Sequence, residues 1–254
     1  MKERAHSKFS ASGAERWFNC PGSVELSEGL PDKSSPWAEE GTRAHTILEM
    51  ILKALDPNIF GANNAWIRYE LPKKFPREMV QHGFTAASFI RQLEKKLLGS
   101  ELLVENKVHL DFIHPEMFGT YDAAVVDHFG TLHVFDYKYG AGHPVSVRDN
   151  LQMIFYGLGL AHRYDWNFKR VRLWIIQPRI RGYDGPTFWE LPMMALKPWV
   201  EIFKTAVKRV EACPDLYVEG SWCHWCKAKS ICPLKVKNKE EEAKSIFTSI
   251  PFSK

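Results

Sequence analysis

Two aspartates and a lysine, Asp122, Asp136 and Lys138, have the types and the spacing to hold a divalent cation. Apolar runs at 119–127 and 131–138 flank a short turn with a glycine, a pattern that predicts a β-hairpin. Centred on its turn, the hairpin places Asp122 opposite Asp136, and Lys138 shares the face of Asp136 because side chains alternate along a strand. Carboxylates facing each other across two strands repel, so a structure that keeps them there usually holds a cation between them.

These three side chains suit metal-assisted hydrolysis of a phosphodiester. A divalent ion polarises the phosphate and lowers the pKa of a bound water, and a nearby lysine can orient that water or stabilise charge on the phosphorane. The alternative is that Asp122 caps a turn while Asp136 forms a surface ion pair with Lys138. The register decides between the two, because a slip of one residue would place the aspartates on opposite faces.

A histidine upstream of the hairpin is a candidate ligand for the same cation. Ser35-Pro36 predicts a helix start, and the helix continues to about Leu55 with its apolar residues three and four apart. His45 lies on that inward face. Its imidazole suits a site that also takes manganese or iron, and the alternative is a satisfied histidine of the core.

The helix predicted after the hairpin, at about 147–162, carries two further candidates. Gln152 and Tyr156 are four residues apart and therefore share one face of that helix. Their amide and phenol groups could hold a phosphate backbone or the attacking water. The alternative is that both are ordinary polar residues on a half-exposed helix.

The chain has five cysteines and no apolar stretch typical of a signal peptide, so metal binding or catalysis explains them better than disulfides do. Cys20 and the C-x2-C-x5-C run of Cys223, Cys226 and Cys232 could together hold zinc or a four-iron cluster. The third cysteine of the run follows after five residues, in place of a second C-x2-C pair, and this favours an iron–sulfur cluster. A site formed by all four cysteines would join the two ends of the chain. The alternative is four unrelated buried cysteines, and Cys213 is predicted to be a small packed residue.

The remaining pattern predicts the elements that position these residues. Helices are predicted at 36–55, 76–98, 147–162 and 197–213, and strands at 102–110, 119–127, 131–138, 169–177 and 186–191. Residues 57–75 are predicted to be irregular, and the stretch after Cys20 is predicted to be loop-like. We therefore expect an α/β fold with a mixed central sheet flanked by helices.

Length, charge and hydropathy narrow the class of protein. With 254 residues the chain can bury a substantial core. Its formal net charge of +4 is compatible with nucleic-acid binding but is shared by many proteins that never bind it. No run approaches the ~20 apolar residues of a membrane span, so we expect a cytoplasmic protein of a bacterial cell that contacts no membrane.

Four motifs follow one another in a defined order: Gly41-x3-His45, Gly119-x2-Asp122, Asp136-x-Lys138 and Gln152-x3-Tyr156. This order resembles the RecB-like branch of the PD-(D/E)XK nucleases. The cysteine frame is similar to that of its iron–sulfur members, the AddB-type helicase–nucleases and the CRISPR-adaptation exonucleases. The opening at 11–21 resembles an uncharacterised family of phage and prophage proteins with the same motifs, so the resemblance covers nearly the whole chain.

The resemblance implies a role for each matching position of the hairpin and for His45 upstream of it. His45, Asp122, Asp136 and the backbone carbonyl of Tyr137 would bind Mg²⁺ or Mn²⁺. Lys138 would be the catalytic lysine. These roles imply a PD-(D/E)XK nuclease core with a divalent cation at its centre.

Outside the hairpin, Gln152 and Tyr156 match the helix motif that contacts DNA and supports the catalytic residues. Glu105 lies where some members carry an additional acid on the first core strand. The four cysteines would ligate a 4Fe-4S cluster, with zinc as the alternative. The implied regions are an N-terminal segment that supplies one cysteine, a nuclease core, and a C-terminal cluster-binding segment with a charged tail: 1–35, 36–212 and 213–254.

The predicted function is a metal-dependent DNA nuclease, in particular an exonuclease on single strands or duplex ends in phage DNA replication or recombination. The alternatives are a structure-specific endonuclease, a DNA-binding recombination scaffold with little nuclease activity, and a zinc-stapled binding module. The sequence has no G-x4-G-K-[ST] phosphate loop, so DNA ends would be processed either without a motor or with the motor of a partner. The candidate partners are a single-strand-binding protein, a recombinase and a helicase. Trp222 and Trp225 could stack on bases or pack against the cluster.

Overall fold

Five strands form one mixed sheet. The computed structural model describes residues 7–31, 35–54, 65–127 and 130–238, without the side chains of 65–69. In chain order, which is also their order across the sheet, the strands are β1 (Glu101–His109), β2 (Phe118–Asp127), β3 (Thr131–Tyr137), β4 (Arg170–Ile176) and β5 (Thr187–Pro192). β3 and β4 run parallel, and the other neighbours run antiparallel. The predicted mixed sheet is confirmed.

Helices flank this sheet. In chain order they are α1 (Ala14–Asn19), α2 (Gly22–Leu26), α3 (Pro36–Ala54), α4 (Ala65–Lys74), α5 (Arg77–Lys96), α6 (Leu151–Arg163), α7 (Met193–Leu196) and α8 (Trp199–Ala212), with a 3₁₀ helix at Ser221–Trp225. α6 is the crossover that the parallel pair β3–β4 requires. It begins later than predicted, because the Asn150 side chain caps it by accepting a hydrogen bond from the Met153 amide at 3.1 Å.

Two stretches that were predicted to lack regular structure contain helices. α4 lies within 57–75 and has Pro72 inside it. Leu71 is buried in the cluster formed with α3 and α5, so packing outweighs the helix-breaking tendency of the proline. α2 follows Cys20 where a loop was predicted, and burial of Val24 explains why this short polar stretch is ordered.

The core has two layers, one on each face of the sheet. Trp17 of α1, Phe155 of α6 and Phe203 of α8 are fully buried in one layer, and Ile47 of α3 and Ile90 of α5 are fully buried in the other. The N-terminal segment is therefore part of the main core, since burial of large apolar side chains is the dominant stabilising term. None of the helices in the described ranges has the length and apolar character needed to cross a bilayer.

Candidate active site

The register of the central hairpin places Asp122 opposite Asp136. β2 and β3 are paired from Ala123 and Phe135 toward the turn, whose residues 128–129 lie outside the described part of the chain. Asp122 and Asp136 are the next residues on the two strands. The predicted register is confirmed, and both aspartates are buried rather than on the surface.

Asp122 is held from two sides by protein groups. Its Oδ2 accepts a hydrogen bond from the Tyr137 amide at 2.6 Å, which takes the place of a bond between the two backbones. Its Oδ1 lies 2.7 Å from His45 Nδ1. Charge-assisted hydrogen bonds of this length fix the carboxylate strongly, so its orientation does not depend on a bound ion.

The strand next to the hairpin is kinked at Glu105. β1 pairs Val104 with Ala123 and Asn106 with Tyr121, a register that places Glu105 opposite Asp122. Glu105 has φ 49°, in the left-handed region that residues other than glycine rarely adopt. Such strain persists only where the surrounding structure imposes it, and it is concentrated at functional sites.

At this kink, the side chains of β1 that follow Glu105 change to the other face of the sheet. In β1, Leu103 and Val108 both belong to the core layer of α6, although strict alternation would separate them. In β2, Tyr121 belongs to the α6 layer and Ala123 to the α3 layer, so alternation breaks at residue 122 as well. The two breaks lie opposite each other, and the acidic side chains emerge there.

Three side chains form a possible site for a divalent metal ion. Ligand atoms of His45, Glu105 and Asp122 all lie within 4.8 Å of one another. Carboxylate oxygens with one imidazole nitrogen suit Mg²⁺ and still better Mn²⁺. Sequence reasoning named His45 and Asp122 and treated Glu105 only as an additional acid.

The pKa values of this group show how closely its charges are crowded. Burial and then the Asp122 carboxylate raise the pKa of Glu105 to about 7. Burial lowers the pKa of His45, but Asp122 more than reverses this and leaves it above its ordinary value. A cation among these ligands would relieve the repulsion between the carboxylates.

Asp136 is the second buried carboxylate. Burial raises its pKa above the ordinary value, the nearby Lys138 ammonium opposes this, and Asp122 adds to it. Lys138 Nζ lies 2.9 Å from Oδ2 and 3.3 Å from Oδ1, but only Oδ1 accepts a hydrogen bond with good geometry. Oδ2 has no hydrogen-bond partner among the described residues, so a carboxylate oxygen remains for a cation to coordinate.

Lys138 is also held by the helix after the hairpin. Its Nζ donates to Gln152 Oε1 at 2.8 Å, and Gln152 Nε2 lies 3.1 Å from the Tyr156 hydroxyl, to which it donates. Gln152 and Tyr156 lie one turn apart on α6, as their spacing predicted. Burial first, and then the charge of Asp136, raises the pKa of Tyr156, so its hydroxyl stays protonated.

All of these side chains line one open cleft of about 490 Å³. Its walls include a glycine from each of the first two motifs. A Cβ at Gly41 would meet nothing within 4 Å, so this glycine leaves space in the cleft. A Cβ at Gly119 would lie 2.9 Å from Ala11 Cβ, so that glycine lets the N-terminal segment pass close to β2.

That segment adds residues that sequence reasoning missed. Ser10 and Ser12 line the cleft, as do Thr42 of α3 and Thr120 of β2. Hydroxyl groups are common donors to phosphate oxygens. The glycine at 119 was the available signal, since a glycine inside a strand marks close approach of another backbone. The Tyr137 carbonyl remains a predicted ligand, because the contact that the structure shows is made by its amide.

The four predicted cysteine ligands gather around a second, much smaller pocket. Cys20, Cys223, Cys226 and Cys232 all line a cavity of about 20 Å³. The stretch after Cys20 and the stretch after α8 meet there, since the Gly22 amide donates to the Leu216 carbonyl at 2.9 Å. The Val218 amide donates to the Cys20 sulfur at 3.4 Å. The expected joining of N- and C-terminal segments is therefore seen.

The cysteine sulfurs are spaced more widely than the ligand atoms in the cleft. Within the described ranges, no three of them lie within 4.8 Å of one another in the way that the His45 group does. Cys213, which was predicted to be packed, is exposed. This prediction was wrong because Cys213 follows the last turn of α8, beyond the apolar face that packs against the sheet.

Two basic side chains already have acidic partners. Lys73 pairs with Glu70 at 2.7 Å, and Arg179 pairs with Glu40 at 2.9 Å. Lys227 lines a groove beside the cysteine segment. Net charge alone therefore does not locate a nucleic-acid surface.

The protein therefore has a mixed five-stranded sheet flanked by helices, and one cleft contains a possible metal site of histidine and carboxylates next to a lysine. The chain belongs to the family described as "Protein of unknown function (DUF2800)", which matches residues 6–252. The chain is also similar to two solved structures, each at 14% sequence identity.

One of these is the crystal structure of SSO0001, with 92% of this chain and 89% of that chain covered and a TM-score of 0.37. The other is an alkaline exonuclease (LHK-Exo) from Laribacter hongkongensis, with 78% of this chain and 91% of that chain covered and a TM-score of 0.33.

Proposed function

We propose that this protein is a divalent-metal-dependent nuclease that hydrolyses phosphodiester bonds in DNA, acting as an exonuclease on single strands or duplex ends. One observation carries the proposal. The His45–Glu105–Asp122 group and the Asp136–Lys138 pair line the same open cleft. A possible cation site beside a fixed ammonium is the arrangement that phosphodiester hydrolysis requires.

The roles follow from the contacts. His45, Glu105 and Asp122, with Oδ2 of Asp136, would hold Mg²⁺ or Mn²⁺, which when bound polarises a phosphate and lowers the pKa of a coordinated water. Lys138 is positioned to stabilise negative charge that develops on the phosphate. These residues suit the ion, because they supply oxygen ligands and one imidazole.

The α6 residues act through Lys138. Gln152 accepts from the lysine with its carbonyl oxygen and donates to Tyr156 with its amide nitrogen, which fixes the orientation of the amide. Because the Tyr156 hydroxyl remains protonated, it accepts this bond with an oxygen lone pair and keeps its own proton available. The pair therefore holds the ammonium in place and offers a hydroxyl to the DNA backbone.

For the cysteine pocket we infer a 4Fe-4S cluster, with zinc as the alternative. A single tetrahedral zinc ion with Zn–S distances of about 2.3 Å would draw four sulfurs to within about 3.8 Å of one another. Four iron ions between the same thiolates need a wider pocket. The C-x2-C-x5-C spacing of Cys223, Cys226 and Cys232 favours the cluster. Iron, sulfide and zinc analysis of anaerobically purified protein distinguishes the two.

The nuclease proposal is tested with end-labelled linear and circular single-stranded DNA in Mg²⁺ or Mn²⁺. Wild type, Asp136→Ala and Lys138→Ala are compared with Lys204→Ala, which changes a lysine paired with Glu201 on the surface of α8. Loss of cleavage only in the two cleft variants supports the proposal. Equal cleavage by all four proteins overturns the site assignment.

The same assay separates the alternatives. Cleavage of the circle favours a structure-specific endonuclease over an exonuclease. DNA binding without hydrolysis by the wild type favours a recombination scaffold. The biological setting belongs to the same proposal: phage DNA replication or recombination in the cytoplasm of a bacterial host, with a helicase, recombinase or single-strand-binding protein as partner. The boundaries at residues 35 and 213 remain predictions.

A further inference from the structure

A second, larger groove continues from the active cleft. It has a volume of about 840 Å³ and reaches the segment that carries the cysteines. Ser10 and Ser12 line both the groove and the cleft. The two depressions therefore meet along the N-terminal segment, and a chain molecule bound in one can extend into the other.

The groove has the two kinds of surface that a single nucleic-acid strand needs. Serine hydroxyls line much of it, together with Arg16, Lys227 and one carboxylate, Glu15. Arg16 also donates a hydrogen bond to the Ser23 carbonyl at 2.8 Å. Hydroxyl and cationic groups contact phosphates. Its far end is aromatic, and aromatic rings stack on unpaired bases. The lining serines are Ser7, Ser10, Ser12, Ser146 and Ser221.

The two tryptophans at the far end differ in their surroundings. Trp222 is half-buried, its indole N–H donates to the Val218 carbonyl at 2.9 Å, and its ring covers Gly220 so closely that a Cβ there would lie 2.4 Å from the ring. Trp225 is 76% exposed and contacts the His224 ring edge-on at a centroid distance of 4.5 Å. Trp222 is therefore a packing residue, and Trp225 has a ring open to a ligand.

We propose that a single strand of nucleic acid passes from the active cleft along Ser10 and Ser12 and stacks an unpaired base on Trp225. This deepens the proposed nuclease function and rests on it, because the strand is taken to be the substrate. Each interior base of a duplex is stacked on both faces and offers neither to Trp225, whereas the bases of a single strand can unstack along the groove. The groove therefore selects single strands and overhangs over blunt ends.

The test measures binding of a fluorescein-labelled oligothymidine of about ten nucleotides by anisotropy, with Ca²⁺ in place of Mg²⁺. Trp225→Ala is expected to raise Kd by about 5- to 100-fold, and Trp225→Phe to restore most of the affinity. The matched control is Phe188→Ala, which removes an exposed aromatic ring on β5. Binding of a blunt duplex is expected to be the same in all four proteins.

A second measurement separates this inference from the nuclease proposal. A p-nitrophenyl ester of thymidine 5′-monophosphate is too small to fill both cleft and groove, so its Mn²⁺-dependent hydrolysis is expected to be equal in wild type and Trp225→Ala. If the wild type hydrolyses the ester and Trp225→Ala binds oligothymidine as tightly as the wild type does, the strand path is overturned and the nuclease proposal is retained. If oligothymidine binding depends on Trp225 but the wild type does not hydrolyse the ester, the nuclease proposal is overturned and the strand site is retained.

Discussion

The active cleft and the cysteine pocket are built in different ways. In the cleft, protein groups hold each other: Asp122 contacts both His45 and the Tyr137 amide, and Lys138 contacts both Asp136 and Gln152. The cysteine pocket adjoins a 3₁₀ helix, Ser221–Trp225, with no buried residue.

The difference indicates what a bound metal contributes to each region. The cleft is arranged by the protein, so we expect its cation to supply chemistry rather than stability. The cysteine segment has little apolar surface of its own to bury, so we expect a metal group to supply its stability, as in other small metal-binding segments.

Replacing Lys138 by alanine gives the largest effect we expect on chemistry. Cleavage of labelled DNA should fall by about 10²- to 10³-fold or more, because a preorganised charge near the phosphate is lost. The melting temperature should change by only a few degrees, since Lys138 is partly exposed. A collapse in melting temperature would contradict the view that the cleft is held by many bonds.

Replacing Cys226 by serine tests the cysteine pocket. We expect loss of bound iron or zinc and a fall in melting temperature of about 10 °C or more, because metal binding is coupled to folding. Cys213→Ser is the matched control, since Cys213 is exposed and does not line the pocket. Metal analysis and thermal unfolding of both variants decide the matter. Equal metal content in the two variants would exclude Cys226 as a ligand.

The two motif glycines should respond in opposite directions to alanine. Gly119→Ala brings a methyl group to within 2.9 Å of Ala11 and should cost about 1–3 kcal/mol of unfolding free energy. Gly41→Ala meets nothing in the protein and should stabilise α3 by up to about 1 kcal/mol.

Activity separates the same two glycine variants further. The methyl group of Gly41→Ala enters the cleft, so cleavage should fall by about tenfold even though the fold is stabilised. Chemical denaturation and a cleavage assay on each variant provide the comparison. Full activity in Gly41→Ala would show that the substrate does not occupy that wall.

The smallest expected effect is the pH dependence of the metal-free protein. The pKa of Glu105 is raised to about 7, so its contribution to stability is complete below about pH 4.5 and is lost as the pH rises through about 7. Because Glu105 is partly exposed, the loss should be about 1 kcal/mol.

Denaturation in EDTA across this pH range measures the effect. Glu105→Gln should flatten the profile, and Mn²⁺ should restore stability to the wild type at pH 8 but less so to the variant. An identical profile in wild type and variant would remove Glu105 from the proposed cation site.

Much of the site followed from local pattern. The glycine-containing turn between two apolar runs predicted the register that faces Asp122 with Asp136, and the i, i+4 spacing predicted that Gln152 and Tyr156 share a face. Both are short-range properties, because a turn and a helical period involve only neighbouring residues. The helix α4 was missed for the complementary reason, since buried packing outweighed the signal of Pro72.

The amino-acid sequence by itself determined the order of the strands and helices that we predicted, the hairpin register and the grouping of cysteines by spacing. Only the tertiary structure decided that Glu105 joins His45 and Asp122, because alternation breaks at residues 105 and 122 together. It also decided that the N-terminal segment crosses Gly119 and links the cleft to the groove. Both depend on contacts between distant parts of the chain, which a periodic pattern does not contain.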